Sequence, residues 1–527
     1  MVRRLAFPAV FAVLAAALLR GAASVPLLDP DEARFARTSV EMARNADPVV
    51  PTFQGLPRLT KPPLLHWLQA ALFRLLGPRE IAARLPSIAS TLLLLLVTGW
   101  AVRRRYGPEG AVWAAAAFAS FPLVVVLGKV GTIDALLSLH VGAVFALELA
   151  GRGERRGALP AAVGAVLGLA FLAKGPVGVV LPLLVLLAGR TAVALDVLPG
   201  LRAWLLGAAA WCAVVFPWGL AFVQRLGAGT VGETLRREVF ERYFAEGAHH
   251  GAAPWYYLAV AAVGFFPWAA TLVLGSVRAL GRRRDPAART AAYAAAGWLA
   301  GLVFFSIGRG KLPSYVLPLA PLAAVVVAWE IGQEIADPRG RRWGQFLAAG
   351  TLAFGAAALG LAAIVGFHPE FRGAIAAGAA ILAAGTAGTA AGLVRGRPRE
   401  VHAAVAVAGL LFSAVCSAAA FPTLGRERSA ATLCREVPVL SSARPLVTVE
   451  KQLPSLCFYL DRVPEWVGAD KVAERASRPD LPVLVIDQID LPRLPAGALK
   501  GIEEVGRSGR YRVFVPRTPS PAQLDGP

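Results

Sequence analysis

The sequence predicts a mostly α-helical bundle that crosses a membrane about thirteen times, with a small α/β domain at its C-terminal end. The 527 residues are 56% hydrophobic and 17% charged, whereas soluble domains are about 45–50% apolar and about 25% charged. Runs such as LPSIASTLLLLLVTGWAV at 85–102 are, with their flanks, long enough to cross about 30 Å of hydrocarbon. From about residue 425 these long runs give way to short alternating segments.

The apolar runs define the individual spans. The N-terminal run has the basic start and small residues of a signal peptide, but we interpret it as an uncleaved first span, because other spans follow it and a charged segment lies just beyond it. In order, the predicted spans are 5–27, 80–101, 110–127, 131–149, 158–172, 175–190, 201–224, 254–279, 288–307, 313–333, 343–366, 371–394 and 401–421.

Basic residues fall in every second connection between these spans. With Arg3 and Arg4 in the cytoplasm, the six connections predicted on that side all carry arginine, as at 103–107 and 278–290. Connections rich in Lys and Arg stay cytoplasmic. The pattern therefore predicts a multi-pass protein with its N-terminus in the cytoplasm and, because the span count is odd, its C-terminus outside.

The formal net charge of +20 is also interpreted in terms of membrane topology. In a soluble protein it would suggest a nucleic-acid partner. Here the arginines cluster between apolar runs, where they determine topology. We therefore expect membrane lipids around the chain and no nucleic-acid partner.

Composition divides the chain into three parts. Residues 1–424 form the predicted transmembrane domain, whose two long outer connections, 28–79 and 225–253, mix acidic, aromatic and basic residues. Residues 425–517 alternate short β-type runs with helical ones and predict a soluble, extracytoplasmic α/β domain. The last stretch, 518–527, has the composition of a disordered tail.

Two surface helices are predicted in the first outer connection. Pro62 and Pro63 suit the start of an amphipathic helix over 62–77. The segment EARFARTSVEMARNA before it has a weaker apolar stripe. Three of its charged residues are expected on a solvated face: Arg37, Glu41 and Arg44.

The four cysteines have two kinds of environment. Cys212 and Cys416 lie inside apolar runs and are expected to be buried packing residues. Cys434 and Cys457 lie in the C-terminal part, where an extracytoplasmic location would permit a disulfide. Two unpaired thiols are equally compatible with the sequence, which gives no distance between them.

Ionisable residues gather on the predicted outer side of the bundle. Asp134 lies about one turn into a span, in the otherwise almost uncharged segment LGKVGTIDALLSL. Charges so close to hydrocarbon are costly and usually functional. The ionisable candidates in the outer connections are Asp31, Glu32, Arg34, Lys61, Arg242, His249, His250, Arg309 and Lys311.

Some of these residues also have an ordinary structural interpretation. Single cations at span ends often extend to lipid head groups, and histidines are common in loops. Residues open to this interpretation are Lys129, Lys174, Arg309, Lys311, His249 and His250. For Asp31, Lys61 and Asp134 we favour a functional role.

Carboxylates and cations on one membrane face suit one class of chemistry. A carboxylate can accept a proton from an acceptor hydroxyl. Lys and Arg can hold a phosphate leaving group and stabilise the charge that develops on it. At a membrane surface, a fitting phosphate donor is a sugar linked to polyprenyl phosphate, whose tail stays in the bilayer.

These residues resemble a known family. The segment 29–77 closely resembles the first outer loop of aminoarabinose transferase (ArnT-type) glycosyltransferases, which belong with the protein O-mannosyltransferase-like membrane enzymes of glycosyltransferase family 39 and relatives. The likeness continues through GTIDALL, 240–268, 304–323 and CFYLDR at 457–462, and covers nearly the whole chain. Its specific motif is Asp-Glu-x-Arg followed about thirty residues later by Lys-Pro-Pro.

The resemblance implies a C-type glycosyltransferase fold and a reaction. A sugar would pass from undecaprenyl phosphate to lipid A, another glycolipid or a protein at the outer face of the bacterial inner membrane, and we expect a monomer. By the same likeness, Asp31 and Asp134 are catalytic. The implied substrate-binding residues are Glu32, Arg34, Lys61, Arg242, His250, Lys311 and Tyr315.

One position departs from the family pattern. Where the best-known members have a Glu before Lys-Pro-Pro, which looks like a metal ligand together with a loop histidine, this chain has Thr60. The departure weakens the expectation of a zinc ion at His250 and the specific assignment to aminoarabinose and lipid A.

Two other classes of function remain open from the sequence. A transporter or flippase of lipid-linked sugars would place ionisable residues near the bilayer midplane and contain a pair of repeats, and this chain shows neither clearly. An envelope-binding scaffold would use the C-terminal domain as its working part.

Overall fold

Long apolar segments form a helical bundle in the computed structural model, which describes residues 2–151, 158–194, 200–236, 253, 255–308, 310–366 and 371–517. Within these ranges, eight helices are long and apolar enough to cross a membrane, or nine if one bent pair forms a single span. The predicted fold class, a polytopic helical bundle with a small α/β part, is confirmed. The count of thirteen spans stays a prediction.

Ten helices form the first part of the bundle and its connections. They are α1 (Val2–Leu19), α2 (Asp31–Asn45), α3 (Leu64–Leu76), α4 (Glu80–Ser120), α5 (Pro122–Leu127), α6 (Ile133–Ala150), α7 (Leu159–Lys174), α8 (Pro176–Ala192), α9 (Leu201–Leu226) and α10 (Ala228–Arg236). A short antiparallel hairpin, β1 (Thr52–Phe53) and β2 (Leu56–Pro57), lies between α2 and α3.

Seven helices complete the bundle. They are α11 (Tyr256–Gly264), α12 (Ala269–Gly281), α13 (Arg289–Ile307), α14 (Ala320–Ala336), α15 (Arg342–Ile364), α16 (Arg372–Val394) and α17 (Pro398–Glu427). A 3₁₀ turn, Pro313–Leu319, leads into α14.

Two predicted span boundaries differ from the structure. Helix α4 consists of two helical segments that are separated at Gly107, whose φ of 74° and ψ of −176° are not helical, just before Pro108. The break between the expected spans 80–101 and 110–127 is therefore present, but the second segment ends at Ser120, before α5. The expected single span 254–279 is broken into α11 and α12, which meet at an angle of 108°. Pro267 lies at this break and has no backbone N–H to continue a helix.

The core of the bundle runs along α14. In the most apolar stretch of Pro313–Ala336, 89% of the residues are buried, against 11% in α9 and in α15. A helix that is apolar all round and buried forms the centre, while exposed apolar helices face the hydrocarbon. Helix α9 is therefore a peripheral wall of the bundle.

The C-terminal part is an α/β unit. Its strands β3 (Leu446–Val449), β4 (Glu465–Val467), β5 (Val483–Asp487), β6 (Ile502–Ser508) and β7 (Tyr511–Pro516) form one sheet in the order β4-β3-β5-β7-β6. Strand β3 is parallel to β4 and β5, and β7 is antiparallel to β5 and β6. Its helices are α18 (Ala431–Glu436), α19 (Pro454–Leu460) and α20 (Val472–Ala476).

The α/β unit docks on the segment that begins the first outer connection. The buried Asp29 carboxylate accepts hydrogen bonds from the Ser455 backbone N–H at 2.8 Å, from the Tyr511 hydroxyl at 3.0 Å and from the Ser455 hydroxyl. The Leu27 N–H donates to the Tyr459 hydroxyl. This docking end of the bundle, which also carries α2, is called the loop end below.

The prediction of a solvated face on α2 is wrong for two residues. Arg37 is 6% exposed and Glu41 is 7% exposed, because the α/β unit and the hairpin cover this side of the helix. Arg44 is exposed but pairs with Asp461 of the α/β unit at 2.6 Å.

The structure also distinguishes a disulfide between Cys434 and Cys457 from two unpaired thiols. All four cysteines are free thiols, so no disulfide joins Cys434 and Cys457. Burial raises the pKa of Cys434 to about 12 and that of Cys457 to about 11. Both thiols therefore stay protonated near neutral pH and act as packing groups.

The buried Asp29 generates a pH prediction for the docked unit. Burial raises the pKa of Asp29 from 3.8 to about 6, against the lowering effect of its hydrogen bonds to Ser455 and Tyr511. The folded state then binds this proton more tightly than the unfolded chain, so stability from this group increases as pH falls from about 7 to about 4. The difference in thermal stability between the wild type and Asp29→Asn, measured in detergent across this range, should shift toward the wild type at lower pH. A difference that does not vary with pH would contradict the prediction.

Candidate active site

An apolar cluster brings the four predicted site segments together at the loop end. It consists of Phe35, Leu65, Ile133, Leu136 and Ala173, from α2, α3, α6 and α7. Three of these segments place a polar residue next to a cluster residue: Arg34 precedes Phe35, Asp134 follows Ile133, and Lys174 follows Ala173. Lys61 lies just before α3. Packing of the apolar neighbours therefore positions the charges.

Asp31 and Arg34 lie at the start of α2. The Asp31 side chain is 52% exposed, and its Oδ1 atom is 3.9 Å from the Arg34 guanidinium. Arg34 lies 6.0 Å from the centre of the Phe53 ring. Its Nε is buried with no hydrogen-bond partner among the residues that the structure describes, so the guanidinium keeps a donor for a ligand.

Glu32 is buried in the helical scaffold, whereas the resemblance implies a substrate-binding residue. Its carboxylate is 1% exposed and accepts two hydrogen bonds from Arg84, both at 2.8 Å. It also accepts the backbone N–H groups of Leu28 and Gly131. Neighbouring residues of a helix point in different directions, so Asp31 faces solvent while Glu32 faces the protein interior. The described contacts of Glu32 are structural.

Asp134 pairs with Lys174. The two side chains are about one-tenth exposed and form an ion pair between α6 and the end of α7. The Lys174 ammonium also lies 4.4 Å from the centre of the Tyr315 ring. A cation over an aromatic face and beside a carboxylate is stabilised by both groups. The charge expected to be costly at Asp134 is therefore neutralised by a lysine from the next helix.

A cavity of about 590 Å³ opens beside this pair. Its polar side chains include Thr60, Lys61, Lys174 and Tyr315, and most of the remaining lining is apolar. The apolar residues come mainly from α7, α8, α9 and α13: Phe171, Val177, Val180, Val215, Trp218, Phe222, Val223, Phe304, Phe305 and Ile307. The cavity thus has a cationic end and a long apolar wall.

Lys61 reaches this cavity from the connection between the hairpin and α3. Its ammonium donates to the Thr60 carbonyl oxygen at 2.8 Å, and residues 59–62 all contribute to the lining. Two lysines from separate segments therefore meet the same space. An anionic group placed there would receive charge-assisted hydrogen bonds.

The remaining candidates are Lys311, which is buried, and four residues outside the described part of the chain. Lys311 is 7% exposed and donates to the Ala253 carbonyl oxygen at 3.0 Å, which ties it to the start of the segment before α11. Arg242 and His250 lie outside the residues that the structure describes, as do His249 and Arg309. Their predicted roles stay predictions.

Lys129 serves the structure. It is 1% exposed, and its ammonium donates to the carbonyl oxygens of Ala17 and Arg20 at the end of α1. Cations at a helix C-terminus satisfy its free carbonyl groups. The residue therefore anchors α1 rather than extending to head groups.

A metal ion has little support from the described residues. Within them, no three His, Cys, Asp or Glu side chains come close enough to hold one. Thr60, which replaces the acidic residue of the family pattern, lines the cavity with a hydroxyl. Zinc prefers several His, Cys or carboxylate ligands, and the predicted ligand His250 lies outside the residues that the structure describes, so the zinc ion stays a prediction.

Sequence reasoning missed the roles of Lys174 and Arg84. Lys174 alone is typical of a snorkelling cation, and only the packing of α6 against α7 reveals its partner Asp134. A signal exists in the sequence, since a lone acid and a lone base end adjacent apolar runs on the same side. Arg84 lies near the start of the predicted span 80–101, where a charge inside an apolar run is itself a signal.

Comparisons with known proteins identify similar sequences and a similar fold. Residues 60–220 match the family model described as dolichyl-phosphate-mannose-protein mannosyltransferase. Over 99% of both chains, the structure aligns with crystal structures of ArnT from Cupriavidus metallidurans: TM-score 0.79 for the form bound to undecaprenyl phosphate, at 24% sequence identity. The chain has the ArnT fold. The apo form of that protein aligns with a TM-score of 0.78.

Similar curated proteins are named as sugar transferases that use undecaprenyl phosphate. Undecaprenyl phosphate-alpha-4-amino-4-deoxy-L-arabinose arabinosyl transferase 1 of Sodalis glossinidius is 34% identical over 331 residues, 59% of this chain and 56% of the relative. The corresponding transferase of Aeromonas hydrophila is 31% identical over 311 residues, 58% and 56% of the two chains. In these alignments the chain spans a little over half the length of its relatives. The family resemblance indicated by the outer-loop motifs is confirmed.

The Asp134–Lys174 pair generates a stability prediction for this fold. Breaking a buried pair leaves an uncompensated charge, which costs about 3–5 kcal/mol, whereas replacing both partners by apolar groups restores much of the loss. Asp134→Leu should therefore lower the thermal stability in detergent, and Asp134→Leu/Lys174→Met should recover it.

The exposed Asp47–Arg225 pair provides the matched control. Its side chains are 28% and 58% exposed, so Arg225→Leu, which removes the more exposed partner, should cost less than about 1 kcal/mol. Equal losses for Asp134→Leu and the double variant would contradict the assigned pairing.

Proposed function

We propose that this protein is a membrane glycosyltransferase that moves a sugar from a polyprenyl phosphate donor to an envelope acceptor at the outer face of the bacterial inner membrane. The donor carries one phosphate head and a long apolar tail. The cavity offers two lysines at one end and an apolar wall along the rest. This match between an amphiphilic ligand and an amphiphilic cavity is the observation that carries the proposal.

The tail would enter from the lipid side. Helix α9 supplies Val215, Trp218, Phe222 and Val223 to the cavity, while most of its other surface is exposed at the bundle periphery. A prenyl chain can therefore stay in hydrocarbon as it slides along α9. Because the prenyl chain moves from lipid and not from water, the wall contributes packing contacts and not a hydrophobic gain.

The cations would act on the phosphate. Lys61 and Lys174, which both line the cavity, would hold the phosphate oxygens. When the bond between the sugar and the phosphate breaks, negative charge develops on the leaving phosphate. Fixed cations in a site shielded from water stabilise that charge more than water does.

Asp31 would act on the acceptor. Its side chain is 52% exposed at the loop end, where an acceptor arrives from the outside. For a hydroxyl acceptor, the carboxylate takes the proton as the oxygen attacks the sugar. For an acceptor phosphate, which is already ionised, Asp31 positions polar groups instead of acting as a base.

Orientation follows from the basic connections. Arginines such as those at 103–105 and 282–284 end helices at the side opposite the loop end. By the positive-inside rule this side faces the cytoplasm. The N-terminus would then be cytoplasmic, and the cavity end with Lys61 and the α/β unit would face outward.

The sugar and acceptor are the open part of the proposal. The relatives' names specify aminoarabinose carried by undecaprenyl phosphate, and lipid A, another glycolipid and a protein are all candidate acceptors. Thr60 in the cavity lining marks a difference in the polar end from that family's pattern. A flippase has less support, since the relatives are named as transferases and the described ion pair lies at one end of the bundle.

The donor role of Lys61 is testable by binding. Lys61→Ala removes one of two cations, so affinity for undecaprenyl phosphate should fall about ten-fold or more, since a charged hydrogen bond contributes about 1.5–3 kcal/mol. Titration of the purified protein in nanodiscs with this lipid measures it. Lys500→Ala, a change at an exposed lysine of the α/β unit, is the control. Equal affinity of the Lys61 variant and the control would remove Lys61 from the phosphate site.

Asp31 is testable by turnover. Asp31→Asn keeps the shape of an exposed side chain but removes its negative charge and basicity, so transfer should fall by about 10²–10⁴-fold while donor affinity and thermal stability stay near wild type. Release of free undecaprenyl phosphate from membranes carrying lipid-linked sugar reports turnover. Asp470→Asn, at an exposed acid of the α/β unit, should keep full activity. Wild-type turnover of Asp31→Asn would exclude Asp31 from the mechanism.

A further inference from the structure

A small hairpin separates α2 from the segment that lines the cavity. Strands β1 and β2 turn through Gln54 and Gly55, whose φ angles are 58° and 75°. Two residues in this left-handed region make a tight reversal that needs external support, because Gln54 is not a glycine. The chain then runs directly from Arg58 into residues 59–62 at the cavity.

One carboxylate supplies that support. Glu41 on α2 accepts the backbone N–H of Gln54 at 2.9 Å, the N–H of Gly55 at 3.1 Å and the Thr52 hydroxyl at 2.9 Å. These bonds satisfy the donors that the turn leaves open. The position of the hairpin is therefore set by the position of the Glu41 side chain.

Glu41 is in turn held from the α/β unit. The Arg37 Nε donates to Glu41 at 2.9 Å, and the other face of the same guanidinium contacts the Cys457 carbonyl oxygen and Asp461. Arg44 donates to the same Asp461 oxygen at 2.6 Å. Asp461 thus holds the Arg37 guanidinium in place, and this guanidinium in turn holds the Glu41 carboxylate.

A second contact reaches the hairpin directly. The Gln54 side-chain amide donates to the Cys457 sulfur at 3.1 Å, and its Oε1 atom accepts a hydrogen bond from the Gln452 side-chain amide at 3.4 Å. The α/β unit therefore forms hydrogen bonds both to the hairpin turn and to α2, the helix that supports the turn.

We infer that Asp461, Arg37 and Glu41 form a positioning relay through which the α/β unit sets the place of Lys61 in the cavity. The inference rests on the proposed function only in giving Lys61 a lipid phosphate to hold. The α/β unit then acts as part of the donor site without touching the donor. Asp461, Arg37 and Glu41 are positioning residues.

The relay has a direct consequence for binding. When Asp461 loses its charge, Arg37 keeps its bonds to Glu41 and to the Cys457 carbonyl oxygen but loses its charged partner on the α/β unit, and the hairpin gains freedom. Lys61 must then be ordered at the moment of binding, which weakens affinity. The loss appears in donor binding and KM, whereas kcat stays near wild type, because the bound complex is unchanged.

The test is a double-variant cycle with two readouts. Asp461→Asn should weaken binding of undecaprenyl phosphate in nanodiscs about three- to ten-fold, the range expected for coupled neighbours. In a Lys61→Ala background the same change should have less than about a two-fold effect, since the affected group is gone. Hydrogen exchange of the backbone over 52–61 should be faster in Asp461→Asn without ligand. Asp461→Glu, which keeps the charge, should restore both readouts.

A matched ion pair in the same unit gives the control. Glu504 pairs with Arg512 on strands β6 and β7, away from the hairpin, so Glu504→Gln should leave binding and exchange over 52–61 unchanged. If Asp461→Asn reduces expression, Arg37→Lys takes its place: it keeps the charge but lacks the planar fork that joins Glu41 to Asp461, so it should give the same losses.

Each outcome separates the two proposals. Equal effects of Asp461→Asn with and without Lys61, or unchanged exchange over 52–61, would overturn the relay while leaving the donor site intact. Wild-type protein that binds no undecaprenyl phosphate would overturn the proposed function, and the exchange measurement alone would then decide the relay.

Discussion

A buried ion pair between Glu32 and Arg84 holds together the segments from which the loop end is built. Arg84 is 0% exposed, and its guanidinium donates to Glu32 and to the carbonyl oxygens of Ala22, Val25 and Pro26. Glu32 also accepts the N–H of Gly131 at 2.7 Å, just before the helix that carries Asp134. One pair thus joins the segment after α1, the start of α2, helix α4 and the residues just before α6.

Such a pair is stable only when nearly every donor and acceptor is used. Desolvation of two charges costs several kcal/mol per ion, and Coulomb attraction offsets it only with additional hydrogen bonds. Here the backbone N–H and carbonyl groups of chain turns supply those bonds. The two neighbouring acids therefore have different roles. Glu32 ties the start of α2 to α4, and the adjacent Asp31 keeps an exposed carboxylate at the start of the same helix.

The sequence predicts the scaffold better than the contacts that build the site. Apolar runs and basic connections locate the helices because both signals are local. Asp134 could be singled out because it is alone in an apolar segment. Arg37, on α2, could not be assigned, since its burial depends on an α/β unit more than four hundred residues later in the chain. Lys174 and the hairpin support at Glu41 need the same knowledge of which surfaces meet.

The Asp134–Lys174 pair constrains how the proposed reaction ends. Transfer of the sugar leaves a phosphate monoester, whose second ionisation near pH 6 gives it more negative charge than the glycosylated donor. The cations that stabilise this leaving group also hold the product. A lysine already neutralised by Asp134 gives up part of its carboxylate contact to bind phosphate, so its net attraction is smaller than that of an unpaired cation. The pair therefore limits the affinity for the product, and the exposed wall at α9 leaves the released lipid a path back into the bilayer.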